Sequence, residues 1–159
     1  MVVGVGRRRA RFGIISDTHG LFRPEITDLF SGVDYILHAG DIGKPAILQE
    51  LEKIAPTIAV LGNIDIPSWF PDTDKMAIVE MVDKRIMVLH NLDELDLDPM
   101  SVPVDVVIHG HSHKPSARQR KGVWYVNPGS AGPHRLLLPV SVAVMEVGET
   151  VSVEHFTIN

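Results

Sequence analysis

The sequence predicts an α/β domain built on a parallel β-sheet, and three observations carry the prediction. Apolar runs of strand length alternate with helix-compatible segments over the first 61 residues. This βαβαβ order implies parallel strands joined by right-handed crossovers. From residue 76 onward the apolar runs come mostly in pairs around short polar turns, the signature of hairpins. Finally, the chain has 159 residues, 45% hydrophobic and 22% charged. That is one ordinary domain, large enough to bury a core without a disulfide or metal staple.

Residues 11–16 form the first apolar strand. Pro24 sits where a helix can open, residues 25–30 suit its body, and Gly32 stops it. Residues 34–39 are a second buried strand. Residues 45–54 form a second helix with Ile47, Leu48, Leu51 and Ile54 on one face, and residues 57–61 a third strand. Residues 76–82 and 85–90 read as a hairpin around Asp83 and Lys84. Residues 104–108 are another buried strand. Residues 117–120 and 123–126 pair across Lys121 and Gly122, and residues 140–147 and 150–157 close the chain around Gly148 and Glu149. The acidic loop 91–103 has room for one helical turn at most. A single domain is therefore expected over residues 11–159, preceded by a basic, disordered tail over residues 1–10.

Charge and composition exclude several functions. Arg7, Arg8, Arg9 and Arg11 stand without an acid in the leader, leaving eleven basic against twenty acidic residues in the rest, a net −9. Such an acidic body argues against stable nucleic-acid binding, which needs clustered Lys and Arg. The leader lacks the long apolar run of a secretory signal. The longest apolar stretch, 136–147, is interrupted by Pro139, Ser141 and Glu146, so no membrane span is expected. With no cysteine, disulfides, thiolate metal sites and thiol nucleophiles are excluded, and a cytoplasmic location is expected.

The chemistry lies just beyond the end of each apolar strand. The first strand ends in Ser16-Asp17-Thr18-His19-Gly20, the second in His38-Ala39-Gly40-Asp41, the third in Gly62-Asn63-Ile64-Asp65. Later strands end in His90-Asn91 and in Gly110-His111-Ser112-His113. In α/β sheets the carboxyl ends of strands gather in one crevice, where ligands bind. Seven candidate metal ligands converge there: Asp17, His19, Asp41, Asn63, His90, His111 and His113. Nitrogen and oxygen donors without sulfur suit Mn²⁺, Fe, Zn²⁺, Co²⁺ or Ni²⁺. Seven are too many for one ion and about right for two, with Asp41 able to bridge. Two divalent ions opposed by Asp17 and Asp41 leave a positive site that attracts a phosphate ester. They also lower the pKa of bound water toward neutrality.

Asp17-x-His19, Gly40-Asp41, Gly62-Asn63, His90 and Gly110-His111-x-His113, in that order, resemble the motifs of the calcineurin-like metallophosphoesterase family, in particular its small prokaryotic phosphodiesterase branch. The motifs span Asp17 to Ser130. The resemblance implies a four-layer αββα sandwich of two mixed β-sheets flanked by helices. It also implies two divalent ions, Mn²⁺ foremost, with Asp17, His19, Asp41 and His113 on the first and Asp41, Asn63, His90 and His111 on the second. Asp41, Asn63 and His111 form the expected catalytic set, and Asn127-Pro128-Gly129-Ser130 resembles the loop that braces the site from behind. The implied activity is hydrolysis of a small phosphodiester or nucleotide-like substrate by a hydroxide bridging the metals. The alternatives are a phosphomonoesterase or nucleotidase on the same site, or a metal-binding interaction scaffold.

Three positions depart from the family pattern. Ile64 stands where larger members carry a histidine that protonates the leaving group, Asn91 stands where many have glycine, and the connection from His90 to Val104 is short. Other residues admit two readings. His38 and His109 are satisfied core histidines or supports behind the metal ligands. Asp65 orients a ligand or caps a turn. His134 and Arg135 approach a substrate phosphate or are solvated loop residues. His155 is structural. Trp69 and Phe70 are expected in the core, with an aromatic substrate wall or a dimer contact as the alternative. The closing hairpin offers an edge strand for homodimer pairing.

Overall fold

A computed structural model describes residues 1–95 and 103–159. The first sheet grows from the predicted βαβαβ unit. β2 (Ala10–Ile15), β3 (Tyr35–His38) and β4 (Thr57–Ala59) run parallel, joined by the helices α1 (Glu25–Leu29) and α2 (Pro45–Glu52). β10 (Val140–Val147) pairs antiparallel with β2 and with β11 (Val151–Ile158), giving the order β11-β10-β2-β3-β4. Proline occupies the first turn of α2, where its missing N–H is harmless. The ring of Phe30, just after α1, lies flat over Gly13 of β2. A Cβ there would stand 2.8 Å from the ring, which accounts for a glycine inside a buried strand.

The second sheet has the order β1-β5-β6-β7-β9-β8. It comprises β1 (Val2–Gly4), β5 (Met76–Glu80), β6 (Arg85–Leu89), β7 (Val106–Ile108), β8 (Ser116–Arg120) and β9 (Val123–Asn127). β5 and β6, and β8 and β9, are the two predicted hairpins, while β6, β7 and β9 run parallel. The sheets face each other through Phe12, Ile14, Leu37 and Val60 on one side and Val79, Val88, Ile108 and Val126 on the other. The helices cover the opposite face of the first sheet through Ile26, Phe30, Ile47 and Leu51. Over the outer face of the second sheet, Leu92 and Leu95 pack onto Met87, Leu89 and Val107 from a single 3₁₀ turn, Leu92–Glu94. The layers are thus the expected two mixed sheets with helices, although among the described residues the fourth layer is a 3₁₀ turn. The rest of the acidic loop, residues 96–102, lies outside the described residues.

Two expectations are corrected. The leader is not a disordered tail. Val2 to Gly4 add a parallel strand to β5, with Val2 opposite Ile78, and the Val5 N–H continues the pairing to the Glu80 carbonyl at 2.9 Å. Arg7 meets Asp34 at 2.9 Å and Arg8 meets Asp83 at 2.7 Å, so valines that satisfy an open sheet edge outweigh the basic composition. Trp69 is not in the core. The 3₁₀ turn Pro67–Trp69 sends adjacent side chains apart, leaving Trp69 exposed at 52% and Phe70 buried at 4%.

Candidate metal centre

Strand register brings the predicted motifs to one edge of the sandwich. Ile15 pairs with His38 and His38 with Ala59, so the loops after β2, β3 and β4 emerge side by side. Val88 pairs with Ile108 and Ile108 with Val126, which aligns His90, the loop after β7 and Asn127 on the facing sheet. Backbone bonds then knit the loops. Asp17 and His19 donate to the carbonyls of Gly40 and Asp41 at 2.9 and 3.0 Å, and Gly110 donates to the His90 carbonyl at 3.0 Å.

The chain turns sharply at five of the seven candidate ligands. Asp17, His19, Asp41, His111 and His113 all have left-handed backbones, with φ of 56°, 47°, 54°, 71° and 63°. Left-handed non-glycine residues are uncommon and cost roughly 1–2 kcal/mol each. Such strain clusters at functional sites, where the surroundings enforce it. Glycines make the close approaches possible. A Cβ on Gly62 would overlap the Asp41 carboxylate, and one on Gly110 would overlap the Ser16 hydroxyl and stand 2.7 Å from Asp17 Oδ2.

Each carboxylate gives one oxygen to the scaffold and the other to the centre. Asp17 Oδ2 accepts from the Ser16 hydroxyl at 2.6 Å and from the His111 N–H at 3.2 Å. Asp17 Oδ1 faces inward, 3.2 Å from His113 Nε2 and 3.9 Å from the Nε2 atoms of His19 and His90. Asp41 Oδ1 accepts from the Ile64 N–H at 3.2 Å. Its Oδ2 lies between two imidazoles, 3.6 Å from His19 Nε2 and 3.3 Å from His90 Nε2. His90 Nδ1 donates to the Ala39 carbonyl at 2.8 Å, which leaves Nε2 to face the centre, the usual arrangement behind a metal-binding imidazole.

Among the described residues, Asp17 Oδ1, His19 Nε2, His90 Nε2 and His113 Nδ1 are buried without a hydrogen-bond partner. Unpaired buried polar atoms are rare and costly, and the first three of these converge on one another. They fall into two groups, Asp17 with His19 and His113, and Asp17 with Asp41 and His90, whose ligating atoms lie within 4.8 Å of one another. An imidazole and carboxylate set of this kind fits a borderline divalent cation.

Electrostatics in the metal-free protein arise from the same contacts. Burial pulls the His90 imidazole down, but close contact with Asp41 and the charge of Asp17 overcome it and raise its pKa. Burial pushes the Asp41 carboxyl up, but His90 and the Ile64 N–H outweigh this and lower it. For His113 burial prevails over the Asp17 charge, Arg135 adds to the effect, and the pKa is lowered. A cation at His90 would thus compete with a more tightly held proton than one at His113.

The structure brings Asp17, His19, Asp41, His90 and His113 together. His111 is exposed and packs its ring edge-on against His90, centroids 5.2 Å apart. Asn63 is exposed and stands with His90 on the wall of one cavity. Asp65 serves both expected roles. Nearly buried, it accepts from the N–H groups of Ile42, Gly43 and Gly62 at 3.1, 2.9 and 2.8 Å, fastening the Asp41 loop to the Asn63 loop.

His38 is fully buried. Its Nδ1 accepts from the Gly40 N–H at 3.1 Å. Its Nε2 lies 2.9 Å from the Thr18 hydroxyl, which itself donates to the Ile42 carbonyl at 2.9 Å. Nε2–H is therefore the donor and the ring is neutral; burial, with His90 nearby, pushes its pKa down to about 3. Asn127 braces the last ligand loop, donating to the Gly110 carbonyl at 3.2 Å and to the Ser112 hydroxyl at 3.0 Å. His155, in turn, meets the Asn127 carbonyl at 2.8 Å. His109 is half-buried, and His134 and Arg135 are exposed. Sequence reasoning missed Ser16 and Thr18, hydroxyls whose only signal was adjacency to a ligand.

Comparison with known proteins gives the family. Residues 11–150 match the model of the calcineurin-like phosphoesterase superfamily domain. A probable metallophosphoesterase of Methanothermobacter thermautotrophicus is 36% identical over 155 residues, spanning 89% of each chain. A phosphodiesterase of Methanocaldococcus jannaschii is 30% identical over 138 residues, 75% of this chain and 82% of that one. The solved structure of an archaeal phosphodiesterase superposes with a TM-score of 0.75 at 24% identity, covering 93% of this chain and 99% of that one. With inward-facing carboxylates and imidazoles at the strand ends and a family model spanning nearly the whole chain, this protein belongs to the calcineurin-like phosphoesterase superfamily.

Proposed function

We propose that this metal-dependent phosphoesterase hydrolyses phosphodiesters at a dinuclear centre. Asp17, His19, Asp41 and His113 would hold one divalent cation and Asp41, Asn63, His90 and His111 the other. The observation that carries the reading is the position of Asp41 Oδ2 between His19 and His90, beside the unpartnered Asp17 Oδ1. When bound, the cations would supply Lewis acidity, stabilising charge on the phosphoryl oxygens and lowering the pKa of water toward neutrality.

The protein's own part is to fix geometry. Ser16 and the His111 N–H orient Asp17, the Ile64 N–H orients Asp41, and the Ala39 carbonyl orients His90. Ile64 carries no proton to give a leaving group, which favours esters whose leaving group departs without assistance. Asp65 and Glu94 against Lys75 leave the wall of the adjoining cavity acidic, which disfavours a monoester dianion more than a diester monoanion.

The test is hydrolysis of bis-p-nitrophenyl phosphate by metal-stripped protein titrated with Mn²⁺, beside the p-nitrophenyl monoester. Activity is expected to rise with metal, to favour the diester, and to vanish in Asp41→Ala with the circular dichroism spectrum unchanged. Full activity in purified Asp41→Ala, or preference for the monoester, refutes the reading.

A further inference from the structure

We propose that the cavity beside Asn63 and His90 is a subsite for the non-reacting arm of the substrate. It selects a flat aromatic arm of about nucleoside size with hydrogen-bonding groups on its edge. This inference rests on the phosphodiesterase reading for what lies at its mouth, while the shape and chemistry of its walls stand apart from it.

The cavity measures about 710 Å³, within the range of small-molecule sites, ~300–1,000 Å³. A phosphate alone does not fill such a space. Three segments bound it: the loop 61–67, Lys75 with Met76 at the start of β5, and the stretch 89–95. Leu61, Pro67, Met76, Leu89 and Leu95 supply apolar walls, suited to the faces of an aromatic ring. The polar groups sort themselves by what is already committed. Asp65 is buried and already accepts from three backbone donors. Asn91 Oδ1 accepts from the Asp93 N–H at 3.0 Å, capping the 3₁₀ turn. Among the described residues this leaves the Asn91 amide and the Lys75 ammonium as donors and the exposed Glu94 carboxylate as acceptor. A mixed donor and acceptor edge matches a heteroaromatic ring better than an alkyl chain or a second anion. Asn63 and His90 belong both to this wall and to the candidate metal ligands, so an arm lodged here keeps its phosphate at the centre. Family position marks Asn91 only as a departure; the cavity gives it a use.

Binding is read first without turnover. In metal-free protein, an amide NMR titration with thymidine 5′-methyl phosphate is expected to shift Met76, Asn91, Glu94 and Leu95, whereas dimethyl phosphate leaves them in place. Met76→Trp, which narrows the cavity at the start of β5, is expected to raise Kd at least tenfold. Glu94→Ala, on an exposed turn where folding is not at stake, is expected to raise it about threefold and carries the test alone if Met76→Trp does not fold. In kinetics with Mn²⁺, kcat/KM for thymidine 5′-p-nitrophenyl phosphate is expected to exceed that for methyl p-nitrophenyl phosphate at least tenfold. That ratio is expected to collapse in Met76→Trp. Shifts confined elsewhere, equal binding of the two diesters, or a Kd unmoved by Glu94→Ala overturns the proposal. Binding as described in a protein that turns over no diester leaves the subsite standing and removes the hydrolytic reading instead.

Discussion

Asp65 offers the most direct test of how this site is built. It binds no candidate ligand side chain, yet its two oxygens hold the N–H groups of Ile42 and Gly43, which follow Asp41, and of Gly62, which precedes Asn63. Asp65→Ala deletes all three bonds and leaves N–H groups facing a small void. A hydrogen bond to a charged group contributes about 1.5–3 kcal/mol. Three donors share one carboxylate, so their contributions are not independent, and exposed Asn63 beside them lets water re-enter. The expected loss is therefore about 3–5 kcal/mol rather than the full sum. For a chain of this length that is a fall in Tm on the order of 10 °C. Asp65→Asn keeps one acceptor oxygen for two donors but points an amide at the third, and is expected to lose about half as much. Urea unfolding of metal-free protein measures both, and Mn²⁺ affinity provides a second readout. Loss of a group that orients metal ligands typically costs 10–100-fold in affinity. A loss below about 1 kcal/mol in Asp65→Ala, with Mn²⁺ affinity intact, would show that the two loops hold each other without this carboxylate.

Two further outcomes are expected from the local contacts. Burial pushes His38 from the ordinary 6.5 to about 3, so between those values the unfolded chain binds a proton that the folded one refuses. Stability from this residue is present above pH 6.5 and drains away as pH falls toward 3, by up to ~1.4 kcal/mol per pH unit; His38→Gln should flatten that part of the urea-denaturation profile, and an unchanged profile would contradict a neutral ring. At the β8–β9 hairpin, Lys121 and Gly122 have φ of 51° and 82°, a two-residue turn that favours Asn-Gly; Lys121→Asn should stabilise the protein by about 0.5–1 kcal/mol in urea unfolding and leave diester hydrolysis unaltered.

How much was legible in the sequence depended on whether a residue's role was written in its neighbours. β2, β3 and β4 were plain because each is an apolar run ending in a metal-capable residue, and the β8–β9 turn because Lys121-Gly122 interrupts two strand-like runs. β1 was hidden. Three residues beside a run of arginines have no periodicity to read, and their partner lies some 75 positions away at Met76 to Glu80. The order of motifs singled out seven candidate ligands, since each loop could be placed at a strand end, and the structure gathers Asp17, His19, Asp41, His90 and His113 of these. What no spacing reveals is which oxygen of each carboxylate is spent on the scaffold. Ser16 and the N–H groups of His111 and Ile64 decide that, and they are a short hydroxyl and backbone groups with no pattern of their own. Trp69 and Phe70 were alike on paper; only the 3₁₀ turn separates the exposed ring from the buried one.

The left-handed residues connect these observations. Among the described residues seven non-glycines have positive φ, and five of them are Asp17, His19, Asp41, His111 and His113. Glycine would relieve the strain at any of the five, but it would remove the donor atom as well. Glycine appears instead at the adjoining positions, Gly20 and Gly40, which share the turn and bear no ligand. The strain therefore falls where a side chain must double back over a sheet edge to reach a common centre. It is held there by fixed partners: Asp65 on the Asp41 loop, Asn127 on the Gly110 loop, and His38 with Thr18 between the first two loops. A site held in this way keeps its unpartnered oxygen and nitrogens aimed inward before any cation arrives. The ordering cost of ligation is then met largely in folding, which is the arrangement expected when metal-site geometry governs the chemistry.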